Sequence, residues 1–226
     1  MARNDQFQEM VSTIAKLGLK TETTEALAAL PYESGELTVD EHLKKMVGSI
    51  GENMVLRRSD RIQVSKGVVA SYMHNAIVPG LGKIGVLVGL ESSGDKDKLA
   101  ELGRKIAMHV AAANPLALTQ DDVDATTVER ERAVLIEQAK EAGKPDNIIE
   151  KMVEGRLRKF YEEVALLSQT YVVDGESKVG DAIKSAESDV GGEIKITGFT
   201  RFALGEDVEK EEGDFAAEVA AAVSGS

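Results

Sequence analysis

Six residues of this chain have the spacing of a dinucleotide-binding loop. Gly80-Leu81-Gly82-Lys83-Ile84-Gly85 matches G-x-G-x-x-G, in which glycines follow a strand and open a helix that binds a pyrophosphate. Here the run from Ile84 to Leu90 is apolar and typical of a strand, so the glycines lead into a strand instead. A Walker phosphate loop is excluded because Lys83 is followed by Ile84 and not by Ser or Thr. The context therefore favours a turn over a cofactor site.

The histidines and carboxylates are the other residues that could do chemistry. His42, His74 and His109 do not stand at metal-ligand spacing with one another, and the chain has no cysteine. His109 falls at the edge of an apolar helical stripe, and the residues alone favour a partly buried ring with locally satisfied nitrogens. No carboxylate pair, and no Ser or Thr beside a base, marks a catalytic centre. We therefore predict no catalytic residue, no cofactor and no metal.

Length, charge and composition argue against several classes of protein. The 226 residues suffice for one large domain or two small ones. A net charge of -12 argues against direct contact with nucleic acid, which needs a basic surface. The absence of cysteine excludes disulfides and is compatible with a reducing cytosol. No segment approaches the roughly 20 apolar residues of a membrane span, and the polar start from Met1 to Gln8 does not resemble a signal peptide. We expect a cytoplasmic protein without membrane contact.

Hydrophobic periodicity and capping signals predict the elements that must position any site. Thr38 and Glu41 have the spacing of a capping box, so a helix should follow to about Ile50. Three β-rich runs come next, and their connections are too short for crossover helices, so we expect antiparallel strands. Gly198 should mark a bulge or kink in a later strand. The other predicted segments are a helix over Asp5–Leu17, strands over Asn53–Ile62, Val64–His74 and Ile84–Leu90, a helix over Asp97–Ala113, a short helix over Val179–Ser188, an alternating strand over Ile194–Leu204 and a small helix over Asp214–Val223.

The segment from about 123 to 167 predicts a pair of antiparallel helices. Each half carries one narrow apolar stripe at steps of three and four residues, surrounded by Glu, Lys and Arg. Gly143 and Pro145 separate the halves, as at the end of one helix and the start of the next. An apolar stripe this narrow can be covered only by the matching stripe of the other helix, so we expect an arm that projects from a globular body. The stripes are Val128, Leu135, Ala139 and Ala142 in the first half, and Ile149, Val153, Leu157, Phe160, Val164 and Leu167 in the second.

Several long strings resemble bacterial elongation factor Ts, the exchange factor for the GTPase elongation factor Tu. The arm supplies Gly143-Lys144-Pro145 and the run from Ile148 to Arg156. The match continues, in the same order along the chain, through Ala2-Arg3-Asn4-Asp5-Gln6-Phe7, Ile50-Gly51-Glu52-Asn53, Ile84-Gly85-Val86-Leu87-Val88, Ile106-Ala107-Met108-His109, Thr197-Gly198-Phe199 and Asp214-Phe215-Ala216-Ala217-Glu218-Val219.

The resemblance implies an α+β fold of two lobes, each a small antiparallel sheet covered by helices, with the antiparallel helical hairpin inserted. It divides the chain into an N-terminal core lobe over 1–115, a C-terminal core lobe over 116–205 with the arm at about 123–167, and a C-terminal module over 206–226.

The resemblance also implies a function and a set of contact positions. The function is guanine nucleotide exchange on elongation factor Tu in translation elongation, without enzymatic chemistry or a cofactor of its own. A homodimer through the arm or the core is a further arrangement that the sequence leaves open. The positions that match the family's contacts with elongation factor Tu are Ile84, Gly85, Met108, His109, the pair Val172 and Val173, and, in the C-terminal module, Phe215 and Val219.

One family motif does not match. The family carries Thr-Asp-Phe-Val just before the string that begins at Ala2, and its phenylalanine is the wedge toward the Mg²⁺ region of the partner; here Met1 stands at the place of that valine. We therefore expect this chain to bind elongation factor Tu but to exchange nucleotide more slowly. Two alternatives remain: a module that binds elongation factor Tu or oligomerises through the arm without exchanging nucleotide, and an enzyme that uses the glycine loop.

Overall fold

A computed structural model describes residues 2–33 and 35–206. The elements in chain order are α1 (Asp5–Gly18), α2 (Thr24–Ala29), α3 (Val39–Ile50), β1 (Gly67–His74), β2 (Ile84–Glu91), α4 (Lys96–Ala113), α5 (Ala125–Glu141), α6 (Asp146–Val164), α7 (Val179–Val190) and β3 (Lys195–Ala203), with 3₁₀ turns at Gln120–Asp122 and Leu166–Ser168. None of these helices combines the length and the apolar character that crossing a bilayer requires. The predicted helix over 214–223, with Phe215 and Val219, lies outside the described residues.

Local signals fixed most helix boundaries. Thr38 accepts a hydrogen bond from the amide of Glu41, and the Glu41 carboxylate accepts one from the amide of Thr38, which confirms the capping box of α3. Asn4 caps α1 through the amide of Phe7. The six residues of α2 were not predicted, since so short a helix shows no clear period; its signal is the N-cap Thr23, which accepts from Ala26.

The sheet is antiparallel with the order β1-β2-β3. The register shifts after the pair Gly89 and Gly198, because Leu90 faces Ile196 and Thr197 is the extra residue. This bulge confirms the irregularity expected near Gly198. β3, which follows the arm in the chain, therefore completes a sheet whose other two strands precede the arm.

The α+β class is confirmed, and the strand arrangement differs from the expected one sheet per lobe. In the part of the chain that the structure describes there is one sheet, since β3 pairs with β2 rather than with strands of its own segment. The main core lies between this sheet, α4 and α7, so it contains residues from both sides of position 115. The division into lobes remains a prediction.

The strand predicted over 53–62 is wrong, because this segment has no regular structure. It is held over the sheet by side chains instead. Thr200 donates a hydrogen bond to the carboxylate of Asp60, and the guanidinium of Arg58 lies 4.6 Å from the ring centre of Phe202. Residue types that are common in strands suit a half-buried surface, but they do not ensure that a neighbouring strand is available for hydrogen bonding.

The predicted pair of antiparallel helices is confirmed, but Leu167, assigned to the second stripe, lies beyond the end of α6 and packs against the main core. Helices α5 and α6 pack on each other through their own cluster of Leu135, Ala139, Ile149, Val153 and Leu157, with Val128, Ile136 and Tyr161 at its margin. The turn between them contains Gly143 at φ 67°, the left-handed conformation that glycine adopts easily. Ala142, assigned to the seam from the sequence, is exposed because the helix has already ended there.

Candidate partner-binding site

The start of β2 and the end of α4 lie at the same end of the sheet. Only four residues separate the end of β2 from the start of α4, so the helix must turn back over the strand. Eight strand residues and eighteen helical residues each span roughly 27 Å. The helix therefore ends near the level at which the strand begins. This places Ile84 and Gly85 at the same end of the sheet as the last turns of α4, which carry the exposed apolar residue Met108.

The glycine loop that precedes β2 is a turn, as the sequence indicated. Gly80 has φ 83°, the amide of Leu81 donates to the carbonyl of Val78, and Lys83 bonds back to the carbonyl of His74. A strand, not a helix, follows the loop. The helix N-terminus that a dinucleotide would need is therefore missing at this place.

Residues 170–178 form a tight turn that presents two adjacent valines, and we call this turn the valine tip. Val172 and Val173 are 46% and 43% exposed. The turn is closed by main-chain bonds from Gly175 to Tyr171 and from Tyr171 to Ser177, both 2.8 Å long. Asp174 strengthens it by accepting from the amides of Glu176 and Ser177. The two adjacent valines thus offer a small apolar surface, on an ordered turn, that a protein partner would gain free energy by covering.

His109 lies beneath the valine tip and not on the surface. Its side chain is fully buried, at 0% exposure. The amide of Val172 donates to Nδ1 over 3.2 Å, and the other ring nitrogen, Nε2, lies 2.9 Å from Oε1 of Gln169. An amide can only donate, so Nδ1 must be the acceptor and Nε2 must carry the proton. The ring is enclosed and already has both hydrogen bonds, and the direct partner contact that the resemblance implies for His109 remains a prediction.

Burial also lowers the pKa of His109, and its hydrogen bond to Gln169 opposes this only in part. A histidine whose pKa is lower when folded than when unfolded takes up a proton on unfolding. Its contribution to stability is complete above the ordinary value of 6.5 and is lost as the pH falls below it. We expect the free energy of unfolding to decrease between pH 7 and pH 5 by up to about 1.4 kcal/mol per pH unit for this proton.

The measurement is urea unfolding as a function of pH for the unmodified chain and for His109→Gln. The variant cannot titrate at this position, so its stability should depend less on pH across the same range. His42, whose pKa is also lowered by burial, is present in both proteins and cancels in the comparison. Parallel pH profiles would contradict the assignment of a buried neutral imidazole.

Tyr171 packs beside His109 and carries a buried hydroxyl without a hydrogen-bond partner among the described residues. Its burial raises the pKa of the phenol to about 12. An unsatisfied buried hydroxyl destabilises the folded state by about 1 kcal/mol or more. We therefore expect Tyr171→Phe to keep or increase the free energy of unfolding in a denaturant titration, by up to about 1 kcal/mol. A clear loss would indicate that the hydroxyl has a partner in solution.

The other two histidines have contacts of their own, and His74 faces Ile84 across the strand pair at the start of β2. His42 stacks on Tyr32 in the cluster of α1 to α3, with ring centres 3.6 Å apart. His74 forms a hydrogen bond with the hydroxyl of Tyr72 at the end of β1. Within residues 2–33 and 35–206, His, Asp and Glu side chains do not gather into a group of three that could hold a metal ion.

Gln169 is the residue of this region that the sequence did not indicate. It is 5% exposed, accepts from His109, and donates through Nε2 to the carbonyl of Glu163 over 2.7 Å. The available signal was weak: Gln169 is the longest of three consecutive polar residues, with Ser168 and Thr170, in a run from Val164 to Val173 that is otherwise apolar. Such a residue is buried only when its polar atoms find partners, but the sequence does not say which partners.

Comparison with known proteins agrees with the strings in the sequence. The sequence profile of a family described as elongation factor TS matches residues 1–206. The chain is similar to elongation factor Ts of Parvibaculum lavamentivorans, with 61% identity over all 226 residues and 73% of that protein. It is 57% identical, again over its whole length, to elongation factor Ts of Bartonella bacilliformis and of Rhizobium etli, of which it covers 74% and 73%. A match of this extent includes the valine tip, the start of β2 and the end of α4, and the chain belongs to the elongation factor Ts family.

Proposed function

We propose that this chain binds elongation factor Tu and promotes release of GDP from it. Family membership supports the exchange role, and the valine tip is the observation that carries the contact. A partner that covers Val172 and Val173 gains apolar burial, while the hydrogen-bonded turn has little conformational freedom left to lose. Ile84, Gly85 and Met108 lie at the same end of the sheet and extend the contact.

The proposed mechanism is a shift in binding equilibrium and involves no covalent step. The factor binds nucleotide-free elongation factor Tu more tightly than the GDP-bound form. By linkage, the factor weakens the binding of GDP by the same free energy by which GDP weakens the binding of the factor. Coupling of this kind is typically about 1–3 kcal/mol between two sites. In this mechanism the glycine loop binds no nucleotide, and its last two residues, Ile84 and Gly85, belong to the proposed contact.

The experiment measures GDP release and complex formation separately. Elongation factor Tu is loaded with a fluorescent GDP analogue, and release is followed after addition of excess GDP, with and without the chain. We expect faster release with the chain, and a complex with nucleotide-depleted elongation factor Tu that excess GDP dissociates. A complex without acceleration would contradict the exchange step alone. The absence of both at micromolar concentrations would contradict the whole proposal.

A further inference from the structure

Gln169 is a buried polar side chain at the junction of three parts of the fold. Its Nε2 donates to the carbonyl of Glu163 in the last turn of α6 and, over 3.5 Å, to the carbonyl of Ala113 at the end of α4. Its Oε1 accepts from Nε2 of His109 over 2.9 Å. The side chain therefore joins the root of the arm to the end of α4.

The main chain of Gln169 is fixed as well. Its amide donates to the carbonyl of Ala165 over 3.1 Å, and its carbonyl accepts from the amide of Val179, the first residue of α7, over 3.0 Å. Neither the backbone nor the side chain can reorient without breaking bonds in a buried place. Because such groups are costly to leave unpaired, the geometry of the network is strict.

The network continues to the valine tip through His109. Gln169 holds Nε2 of the imidazole, and Nδ1 of the same ring accepts from the amide of Val172 over 3.2 Å. The bond from Gln169 fixes both the ring orientation and the tautomer, because a proton held on Nε2 leaves Nδ1 free to accept. The hydrogen-bonded path thus ends at the backbone of the first exposed valine.

We propose that Gln169 is a positioning residue for the contact with elongation factor Tu. Through His109 it fixes the backbone of the valine tip, and through Glu163 and Ala113 it ties this tip to the root of the arm and to α4. It acts without touching the partner, since it is 5% exposed. This inference rests on the proposed function for its binding consequence, whereas its structural consequence can be measured on the chain alone.

The first experiment uses Gln169→Met without any partner. Methionine has a similar length but cannot donate or accept these bonds, so the His109 ring loses the group that orients it. We expect the Val172 amide to exchange its hydrogen at least tenfold faster, relative to the amides of β2 in the same protein. The NMR signature of His109 should change from a single Nε2-protonated tautomer to a mixture of both. Unchanged exchange and an unchanged tautomer would overturn the proposal.

Val190→Ala is the matched control for general destabilisation. Val190 is buried in the same core, but it ends α7 near Gly94, away from Gln169 at the other end of that helix. This variant should lower the unfolding temperature while leaving the exchange of Val172 relative to β2 within twofold. If Val190→Ala accelerates hydrogen exchange of the Val172 amide as much as Gln169→Met does, the effect is not specific to the network and the proposal fails.

The second experiment is a double-mutant cycle for binding to nucleotide-free elongation factor Tu. Gln169→Met alone should weaken binding about tenfold. In a chain that already carries Val172→Ser and Val173→Ser, the same change should have almost no further effect, because the side chains it positions are gone. Additive losses would overturn the positioning role. If the two serine substitutions leave affinity unchanged, the docking role of the tip in the proposed function fails, and amide exchange still decides the role of Gln169.

Discussion

Val172→Asp is expected to weaken binding to nucleotide-free elongation factor Tu by about 30- to 100-fold, which corresponds to roughly 2–3 kcal/mol. The substitution places a carboxylate where the partner is expected to cover an apolar surface, and that charge would have to lose its water without a counter-charge. The fold should persist, because the side chain is nearly half exposed and only the amide of Val172 bonds to His109. Affinity is measured by titration calorimetry, and integrity by thermal unfolding.

Val134→Asp provides a matched control on the arm. Val134 is 42% exposed on α5, close to the exposure of Val172, so both variants replace a similarly accessible valine with the same charge. We expect the affinity of the control to stay within threefold of the unmodified chain. Equal losses from both variants would show that added negative charge, not the position of the tip, weakens the complex. Full affinity of Val172→Asp would remove the tip from the contact.

Gly103→Ala is expected to lower the free energy of unfolding by about 2 kcal/mol, the usual range for overpacking a tight core. Gly103 lies on α4 where the helix crosses the sheet. A Cβ added there would come within 2.6 Å of both Ala70 Cβ and Leu90 Cδ1. Real side chains do not approach that closely, so α4 would have to move away from the sheet. Denaturant unfolding followed by circular dichroism measures the loss.

Gly155→Ala is the control that isolates this packing effect. Gly155 also lies inside a helix, α6 of the arm, but outside the backbone of that helix no described residue comes within 4 Å of the position its Cβ would take. Both substitutions gain the helix propensity of alanine, which is worth up to about 1 kcal/mol, and only Gly103 meets a steric conflict. The arm variant should therefore be as stable as the unmodified chain or more so. Similar effects at both positions would contradict the close approach of α4 to the sheet.

The helices show how far local sequence can predict this fold. The capping box at Thr38 and Glu41 marked the start of α3, and the paired stripes with Gly143 between them marked the arm. Helical hydrogen bonds join residues four apart, so their signals lie within one short window. The failed strand over 53–62 had the same kind of local support, but a strand also needs a neighbour to pair with.

The candidate site likewise contains residues that the sequence indicated and one that it did not. Val172, Val173 and Met108 were identified through the resemblance, and the structure exposes each of them. His109 came from the same resemblance and is enclosed, a difference that only the packing of α4 under the turn could show. Gln169 drew no attention in the sequence, because the three partners of its side chain lie 6 to 60 positions away along the chain.

The family, most of the helices, the arm and the turn at the glycine loop can all be predicted from the order of the residues. Those conclusions rest on contiguous strings and on periods of a few residues. Three features become visible only in the folded chain: β3 completes the sheet of β1 and β2, His109 is buried, and Gln169 connects the arm, α4 and the valine tip. Strand pairing and burial depend on residues distant in the chain, and a linear pattern contains no direct measure of their proximity.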